Sequence, residues 1–300
     1  MAIDAVIGKV EVDGNNVWLT IHHTAESGDS DRLKQLPNLF TLLNLFFGCI
    51  AIVMATQSGL MPMYDNSGAP MTDAAGNQFI NLSEKIWEAS LYIFLAAVID
   101  FLDGFIARIF NATSNMGKQL DSLADIVSFG VAPAIIIYQF LRLTYAQQED
   151  GLLINMIWLL PAFILPCAGA WRLAKFNIDT NPQPDFKGLP IPAVGLLVAS
   201  FPLIYWMSDQ PVVIRLLLNE WFWYGLILLL SYLMVSNLPM MSLKSRNFQF
   251  KNNIGWYVLL VVGVVAAIFL QWLAVPVVFI FYVILSLTFR RRSTKQFVNN

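Results

Sequence analysis

Apolar residues along this chain gather into long runs rather than alternating with polar ones. Eight such runs cover roughly residues 38–56, 86–108, 119–141, 152–175, 190–208, 221–240, 254–271 and 273–289. A helix of about 20 apolar residues spans the hydrocarbon core of a bilayer. Near-continuous apolarity, with no period of two, sets these runs apart from membrane-barrel strands. The last two runs are barely separated, near Gln271 and Pro276, where a tight re-entrant turn is expected. The first 36 residues follow another rule. Val10 and Val12, then Asp13-Gly14-Asn15-Asn16, then Val17, Leu19 and Ile21 alternate about turn residues and predict a β-hairpin. Residues 57–85 read as a polar loop rich in Gly, Asn and Asp. The pattern predicts an all-α integral membrane protein, a polytopic bundle of about eight transmembrane helices with a short extramembrane hairpin. Residues 1–36 form an N-terminal extension, 37–290 the transmembrane domain and 291–300 a basic tail.

Composition sharpens this. Charged residues make up 13% of the 300, half the roughly one quarter of soluble domains, which excludes a soluble or disordered chain. A net charge of −2 and a pI near 5.7 give no basic footprint for nucleic acid. The first apolar run begins too late for a cleavable signal peptide. With the N-terminus inside, fifteen of the eighteen Lys and Arg fall on the cytoplasmic side, and only Lys85, Arg142 and Arg215 lie outside. By the positive-inside rule, both termini are expected in the cytoplasm. Cys49 and Cys167 sit within apolar runs and are expected to be small core residues.

Against this apolar background four carboxylates are conspicuous: Asp100, Asp103, Asp121 and Asp125. A carboxylate at membrane depth costs several kcal/mol unless paired, hydrated or metal-bound. Asp100 and Asp103 are spaced i,i+3, Asp121 and Asp125 i,i+4, so each pair shares a helix face. The short connection carrying Asn111, Thr113, Ser114 and Asn115 makes the two helices antiparallel neighbours, so all four carboxylates converge. Such a set calls for cations, and hard Mg2+ or Mn2+ suits oxygen ligands best. Gly104, Ala107 and Gly117 leave room for a bulky ligand beside the backbone, and Arg108 suits phosphate. Together they describe a pyrophosphate cradle.

The run Asp-x2-Asp-Gly-x2-Ala-Arg-x8-Gly-x3-Asp-x3-Asp, matched without departure by Asp100, Asp103, Gly104, Ala107, Arg108, Gly117, Asp121 and Asp125, resembles the signature of the CDP-alcohol phosphatidyltransferases. Residues 37–44 (PNLFTLLN), 121–133, Arg172 to Asn177 and Gly188 to Pro192 are similar to segments of the membrane-embedded bacterial phosphatidylserine synthases. The resemblance covers about residues 36–290; the N-terminal hairpin and the 57–85 loop fall outside it. It implies a helical enzyme of the bacterial inner membrane, dependent on a divalent metal, with a cytoplasm-facing site and commonly a homodimer. The reaction implied is transfer of the phosphatidyl group of CDP-diacylglycerol to L-serine, with release of CMP.

On that resemblance Asp100, Asp103 and Asp121 hold metal, and Asp125 is the general base and a further metal ligand. Gly104, Ala107, Arg108 and Gly117 line the slot for the CDP-lipid, with the polar first-span residues Asn38, Thr41 and Asn44. Arg172, Lys175 and Lys187 are candidates for the serine carboxylate or the lipid phosphate, and Ser128 for the same cavity. Two alternatives stay open: the same chemistry with glycerol 3-phosphate or an inositol phosphate as acceptor, and a cation transporter.

Overall fold

The computed structural model describes residues 7–13, 16–22, 27–72, 76, 78–109, 114–148, 153–178, 186–240 and 254–297. For those among 7–34, and for 186, 187, 239, 254, 256 and 289–297, it describes the backbone only. The hairpin expected at the N-terminus forms. Strand β1 (Ile7–Asp13) pairs antiparallel with β2 (Asn16–His22), Val10 opposite Leu19 and Val12 opposite Val17.

Helix α1 (Ser27–Gln57) starts well before the first apolar run, so residues 27–36, read as part of an extension, are already helical. Pro37 lies inside it. A proline there gives up one backbone hydrogen bond, and its carbonyl lies 3.1 Å from the Thr41 hydroxyl.

The loop after α1 is more ordered than its composition suggests. Strands β3 (Leu60–Pro62) and β4 (Ile80–Leu82) pair antiparallel. Backbone bonds from Met71 to Met63 and from Phe79 to Met71 continue the meander. At its tip Asp65 Oδ1 accepts bonds from the Ser67 hydroxyl and from the N–H groups of Ser67 and Ala69. The Ser67 hydroxyl, then those N–H groups, hold this carboxyl below its usual pKa.

Helix α2 (Lys85–Ile109) returns against α1 along its length. The third apolar run becomes α3 (Asn115–Asp125), a π-helical turn (Ile126–Val131) and α4 (Ala132–Ala146). The sequence reading had no such turn. The Ala132 N–H reaches back to the Val127 carbonyl, one residue further than in an α-helix, and Pro133 has no N–H with which to resume the α ladder at once. Helix α6 (Ile191–Met207) packs tightly on this turn: a Cβ on its Gly195 would lie 2.8 Å from Phe129 Cβ.

The fourth run is helical only in its second half. Single 3-10 turns at Met156–Trp158 and Leu160–Phe163 precede α5 (Ile164–Ile178). Asn155 caps the first turn, its Oδ1 accepting from Ile157 N at 3.0 Å, and Pro161 lies within the second. Past α5, β5 (Phe186–Lys187) leads to α6 through Gly188, whose φ of 75° belongs to the left-handed region.

Helix α7 (Pro211–Leu217) turns by 69° into α8 (Glu220–Val235). The latter stops five residues short of the apolar run, because Leu238 precedes a proline and is drawn into extended chain. The next two residues form β6 (Pro239–Met240), paired with β5. Phe140 of α4 stacks on Trp223 of α8 at 4.8 Å, and Phe201 of α6 meets the same indole at 5.3 Å. This aromatic knot is fully buried or nearly so and forms the centre of the core.

The last two helices, α9 (Ile254–Leu270) and α10 (Ala274–Phe297), fold back on each other through Gln271, whose φ is 49°. A Cβ on Gly263 would lie 3.7 Å from Val278 Cγ2, whereas 15 residues of straight helix separate two atoms by about 22 Å. The tight turn expected near Gln271 is therefore present.

Among the described residues four helical stretches are long and apolar enough to cross a membrane: Gln35–Gln57, Lys85–Ile109, Asn115–Ala146 and Tyr257–Thr288. The bent α7–α8 pair makes up to five. The protein is thus an integral membrane protein with a mostly helical fold. The eight runs all carry helix, but α5 and α6 are too short to count as spans by length, and α9 and α10 enter together as the one stretch Tyr257–Thr288. Cys49 and Cys167, expected in the core, are exposed on helix surfaces, as are Phe46, Leu95, Ile268 and Phe269. In a bilayer the solvent is itself apolar, so apolar surroundings in sequence do not imply burial inside the protein.

Candidate functional site

The aspartates are positioned by three helices that meet at one end of the bundle. Asp100 and Asp103 lie on the last turns of α2, and Asp121 and Asp125 on α3. Helix α3 starts at a fixed point because Ser114 caps it, its Oγ accepting from Gly117 N at 2.9 Å. Across from α2, Thr41 of α1 places its hydroxyl 2.9 Å from Asp103 Oδ2. Asp103 and Asp125 are buried, Asp100 and Asp121 half-buried.

One carboxylate oxygen each of Asp100, Asp103 and Asp121 lies within 4.8 Å of the others. Two unit negative charges at that separation repel by about 3 kcal/mol at an effective dielectric of about 20, so a cation held among the three would be strongly favoured. The spacing is close to the about 4.2 Å between opposite oxygens on an octahedral Mg2+. The donor set is all oxygen, so the residues fit a divalent hard metal ion. Asp125 stands one turn beyond Asp121, feels the charges of the other three carboxylates and of Arg172, and keeps its Oδ1 without a hydrogen-bond partner among the described residues.

A cleft of about 380 Å³ opens beside the trio. Pro37, Asn38 and Thr41 form one wall, Asp103, Gly104 and Ala107 a second, and Ser114, Asn115, Gly117, Lys118 and Asp121 the third. Two glycines shape it differently. A Cβ on Gly104 would meet nothing within 4 Å, so this backbone faces open space. A Cβ on Gly117 would lie 2.8 Å from Asn38 Oδ1 and 3.0 Å from Ser114 Oγ, so here the absent side chain lets α1 and α3 close up.

Asn38, Thr41, Gly104, Ala107, Gly117, Asp103 and Asp121 are thus brought together as the sequence suggested. Arg108 is not on the cleft wall: it is exposed, its Nε donating to the Gly104 carbonyl at 2.8 Å. Asn44 is fully buried one turn below Thr41, with both amide atoms unpartnered among the described residues. Ser128 faces α1 instead of the cleft. Its hydroxyl donates to the Asn44 carbonyl at 3.1 Å, and its backbone packs on Gly48, where a Cβ would approach Ser128 Cα to 2.8 Å. Arg172 is buried on α5 near Asp125, while Lys175 is exposed and donates to Asn237 Oδ1 at 2.7 Å. The side chain of Lys187 lies outside the described residues.

Pro37, Ser114, Asn115 and Lys118 line the cleft without having been candidates in the sequence. Lys118 is the charged one among them, and positive-inside topology alone accounts for a lysine there. Its Nζ reaches the Asn177 carbonyl at 3.4 Å and lies 5.5 Å from the centre of the Phe176 ring. Asn177 Nδ2 in turn donates to Ser122 Oγ at 2.9 Å, so α5 braces α3 beside the site. Its position next to Gly117 in the signature was the available clue.

Residues 34–233 match the family described as CDP-alcohol phosphatidyltransferase. This stretch is more than half of the chain and contains all four aspartates. The chain belongs to that family. Individual relatives agree with the assignment. A CDP-diacylglycerol–serine O-phosphatidyltransferase of Helicobacter pylori is 30% identical over 225 residues, 73% of this chain and 77% of the relative. The Bacillus subtilis protein of the same name is 39% identical over 124 residues, 41% of this chain and 65% of its own length. An archaetidylserine synthase of Methanothermobacter thermautotrophicus is 31% identical over 176 residues, 58% of this chain and 60% of the relative. The family implies a CDP-alcohol substrate, and the cleft beside the trio has an open backbone wall at Gly104.

Proposed function

We propose that this protein transfers the phosphatidyl group of CDP-diacylglycerol to L-serine, giving phosphatidylserine and CMP. The observation that carries the transfer reaction is the Asp100, Asp103 and Asp121 trio at the edge of the 380 Å³ cleft. Serine is favoured over glycerol 3-phosphate and an inositol phosphate because the relatives described above carry serine in their names. A buried Arg172 near Asp125 also suits an acceptor that brings its own carboxylate.

Asp100, Asp103 and Asp121 would hold the divalent ion, Mg2+ or Mn2+. When bound it neutralises charge on the pyrophosphate and on the departing CMP. The chain's own groups do the rest. Thr41 fixes the orientation of Asp103, the open Gly104 backbone admits the nucleotide, and Gly117 lets α1 and α3 close on the far wall. Asp125 accepts the proton of the acceptor hydroxyl, whose oxygen forms the new bond to the lipid-bearing phosphorus. The bond from that phosphorus to the oxygen of CMP breaks. Lys118 and a reoriented Arg108 supply positive charge at the cleft mouth. In this reading the protein lies in the bacterial inner membrane with the site and both termini toward the cytoplasm, crosses eight times, and works as a homodimer.

The Asp125→Asn variant tests the proton transfer. It is expected to lower serine-dependent CMP release about 100- to 10,000-fold, the range for loss of a general base, while metal-dependent binding of CDP-diacylglycerol persists. Normal turnover would refute the assignment.

A further inference from the structure

The segment 57–85, polar by composition, carries an apolar surface once folded. Met61, Met63, Tyr64, Met71 and Phe79 are each between 38% and 61% exposed. Backbone bonds gather them on one knob. Met63 N donates to the Phe79 carbonyl at 2.8 Å, Met71 N to the Met63 carbonyl at 2.8 Å and Phe79 N to the Met71 carbonyl at 2.9 Å. Met61 lies opposite Asn81, and Tyr64 opposite Pro70. Five large apolar side chains clustered on so small an element differ from the single exposed ones of an ordinary surface, and clustering of this kind marks an interaction site.

Bonds to neighbouring helices fix the depth of the knob. The Ile80 carbonyl accepts from Gln147 Nε2 at 2.6 Å, and Gln147 is the first residue past Asn115–Ala146, one of the stretches able to cross a membrane. Gln148 donates from Nε2 to Glu220 Oε1 at 3.4 Å, which brings the start of α8 to the same level. There Trp221 is exposed, and so is Trp158, whose carbonyl accepts from the Tyr224 hydroxyl at 2.7 Å. Exposed tryptophans concentrate at the membrane–water boundary. A strand rises about 3.3 Å per residue, so Met61 and Phe79 lie within about one residue of Ile80, inside a headgroup layer about 5–7 Å thick. The base of the knob is held firmly, with Leu82 buried and Asn81 Oδ1 accepting from the Tyr205 hydroxyl at 2.6 Å. Residues 57–84 contain Asp65, Asp73 and Glu84 and no Lys or Arg, which disfavours an anionic lipid surface and leaves apolar contact as the attraction.

We propose that the meander between α1 and α2 rests on the membrane and sinks its apolar side chains among the headgroups of a zwitterionic lipid leaflet. The apolar exterior of the two spans thus continues onto the knob. Asp100 lies about 22 Å further along α2, so the contact is made at the end of the bundle away from the aspartates. It holds the far ends of α1 and α2, the helices that carry Thr41, Asp100 and Asp103. This stands whichever way the bundle faces and whichever alcohol is the acceptor.

The test places nitroxide labels at Met63→Cys, Phe79→Cys and, at the polar tip, Asn66→Cys. The full-length protein also carries Cys49→Ala and Cys167→Ala and is reconstituted into phosphatidylcholine vesicles. Collisions with a water-soluble nickel chelate and with oxygen, which concentrates in lipid, are read by spin resonance. At positions 63 and 79 nickel collisions are expected to be about threefold fewer than at position 66, with oxygen collisions no fewer, as headgroup depth requires. Nickel collisions as frequent at 63 and 79 as at 66 would overturn the proposal. So would exclusion of both reagents, which marks cover by a second copy of the chain. Should the cysteine-free protein not fold, the wild-type protein is irradiated in vesicles of a phosphatidylcholine that bears a diazirine beside its glycerol. Labelling of the segment from Met61 to Phe79 is expected, and labelling confined to the spans overturns the proposal equally.

Discussion

Thr41, Gly104 and Gly117 show how single side chains decide what the cleft can do. The Thr41 hydroxyl is 2.9 Å from Asp103 Oδ2, and Thr41→Val removes that contact at nearly constant volume. Loss of a hydrogen bond to a charged group is worth about 1.5–3 kcal/mol, so the variant is expected to need more metal for half-maximal activity, as a metal titration will show. The two glycines predict opposite outcomes for the same change. Gly104→Ala adds a methyl group where the protein has no neighbour within 4 Å. It should fold with wild-type thermal stability and show a raised KM for CDP-diacylglycerol. Gly117→Ala pushes a methyl group onto Asn38 and Ser114 and should lower stability by about 1–3 kcal/mol, as overpacking does, measurable as a fall in the thermal midpoint in detergent. The aspartates were legible in the sequence because ionised groups are costly at membrane depth, so their helical spacing stood out. Lys118 was not, because a lysine near a membrane face is explained equally well by topology. Neither was the direction of Arg108 or Ser128, since spacing along a helix says which face a residue shares but not which neighbour that face meets.

At the scale of elements, the π-helical turn Ile126–Val131 follows Asp125 immediately and sets how α4 continues from α3. Its fit depends on Gly195, above which Phe129 sits at under 3 Å from any added Cβ. Gly195→Leu is therefore expected to disrupt packing between α6 and the turn and to lower activity along with stability, read as parallel losses in thermal midpoint and CMP release. Hydrophobic runs located the long helices, though not the short α7 (Pro211–Leu217), and could not report this turn, because apolar composition is blind to whether a backbone bond spans four residues or five. The same blindness explains α5 and α6. Asn155 and Pro161 shape the approach to α5, which begins only midway through its apolar run, and Pro192 the start of α6. The N-terminal hairpin, by contrast, was readable in the sequence, since apolar alternation on both sides of a four-residue turn signal marks two paired strands; its register comes from the structure.

For the whole molecule, apolar exteriors at Phe46, Leu95, Ile268 and Phe269 fit a protein whose solvent is lipid, and this is where a composition-based expectation of core residues misplaced Cys49 and Cys167. The distribution of Lys and Arg adds a direction to the bundle. Asn66 lies at the exposed tip of the meander between α1 and α2. In a variant with Cys49 and Cys167 replaced, Asn66→Cys is expected to react with a membrane-impermeant thiol reagent from outside the cell. Labelling from the cytoplasmic side alone would reverse the proposed orientation. The central claim is the chemistry, and the most direct measurement is CMP release by the purified protein from CDP-diacylglycerol, with a panel of acceptor alcohols, with and without divalent metal. The account predicts CMP release driven by L-serine, lost on chelation and restored by Mg2+ or Mn2+. CMP release driven by glycerol 3-phosphate or an inositol phosphate and not by serine, or serine-driven release that survives complete removal of metal, would contradict it.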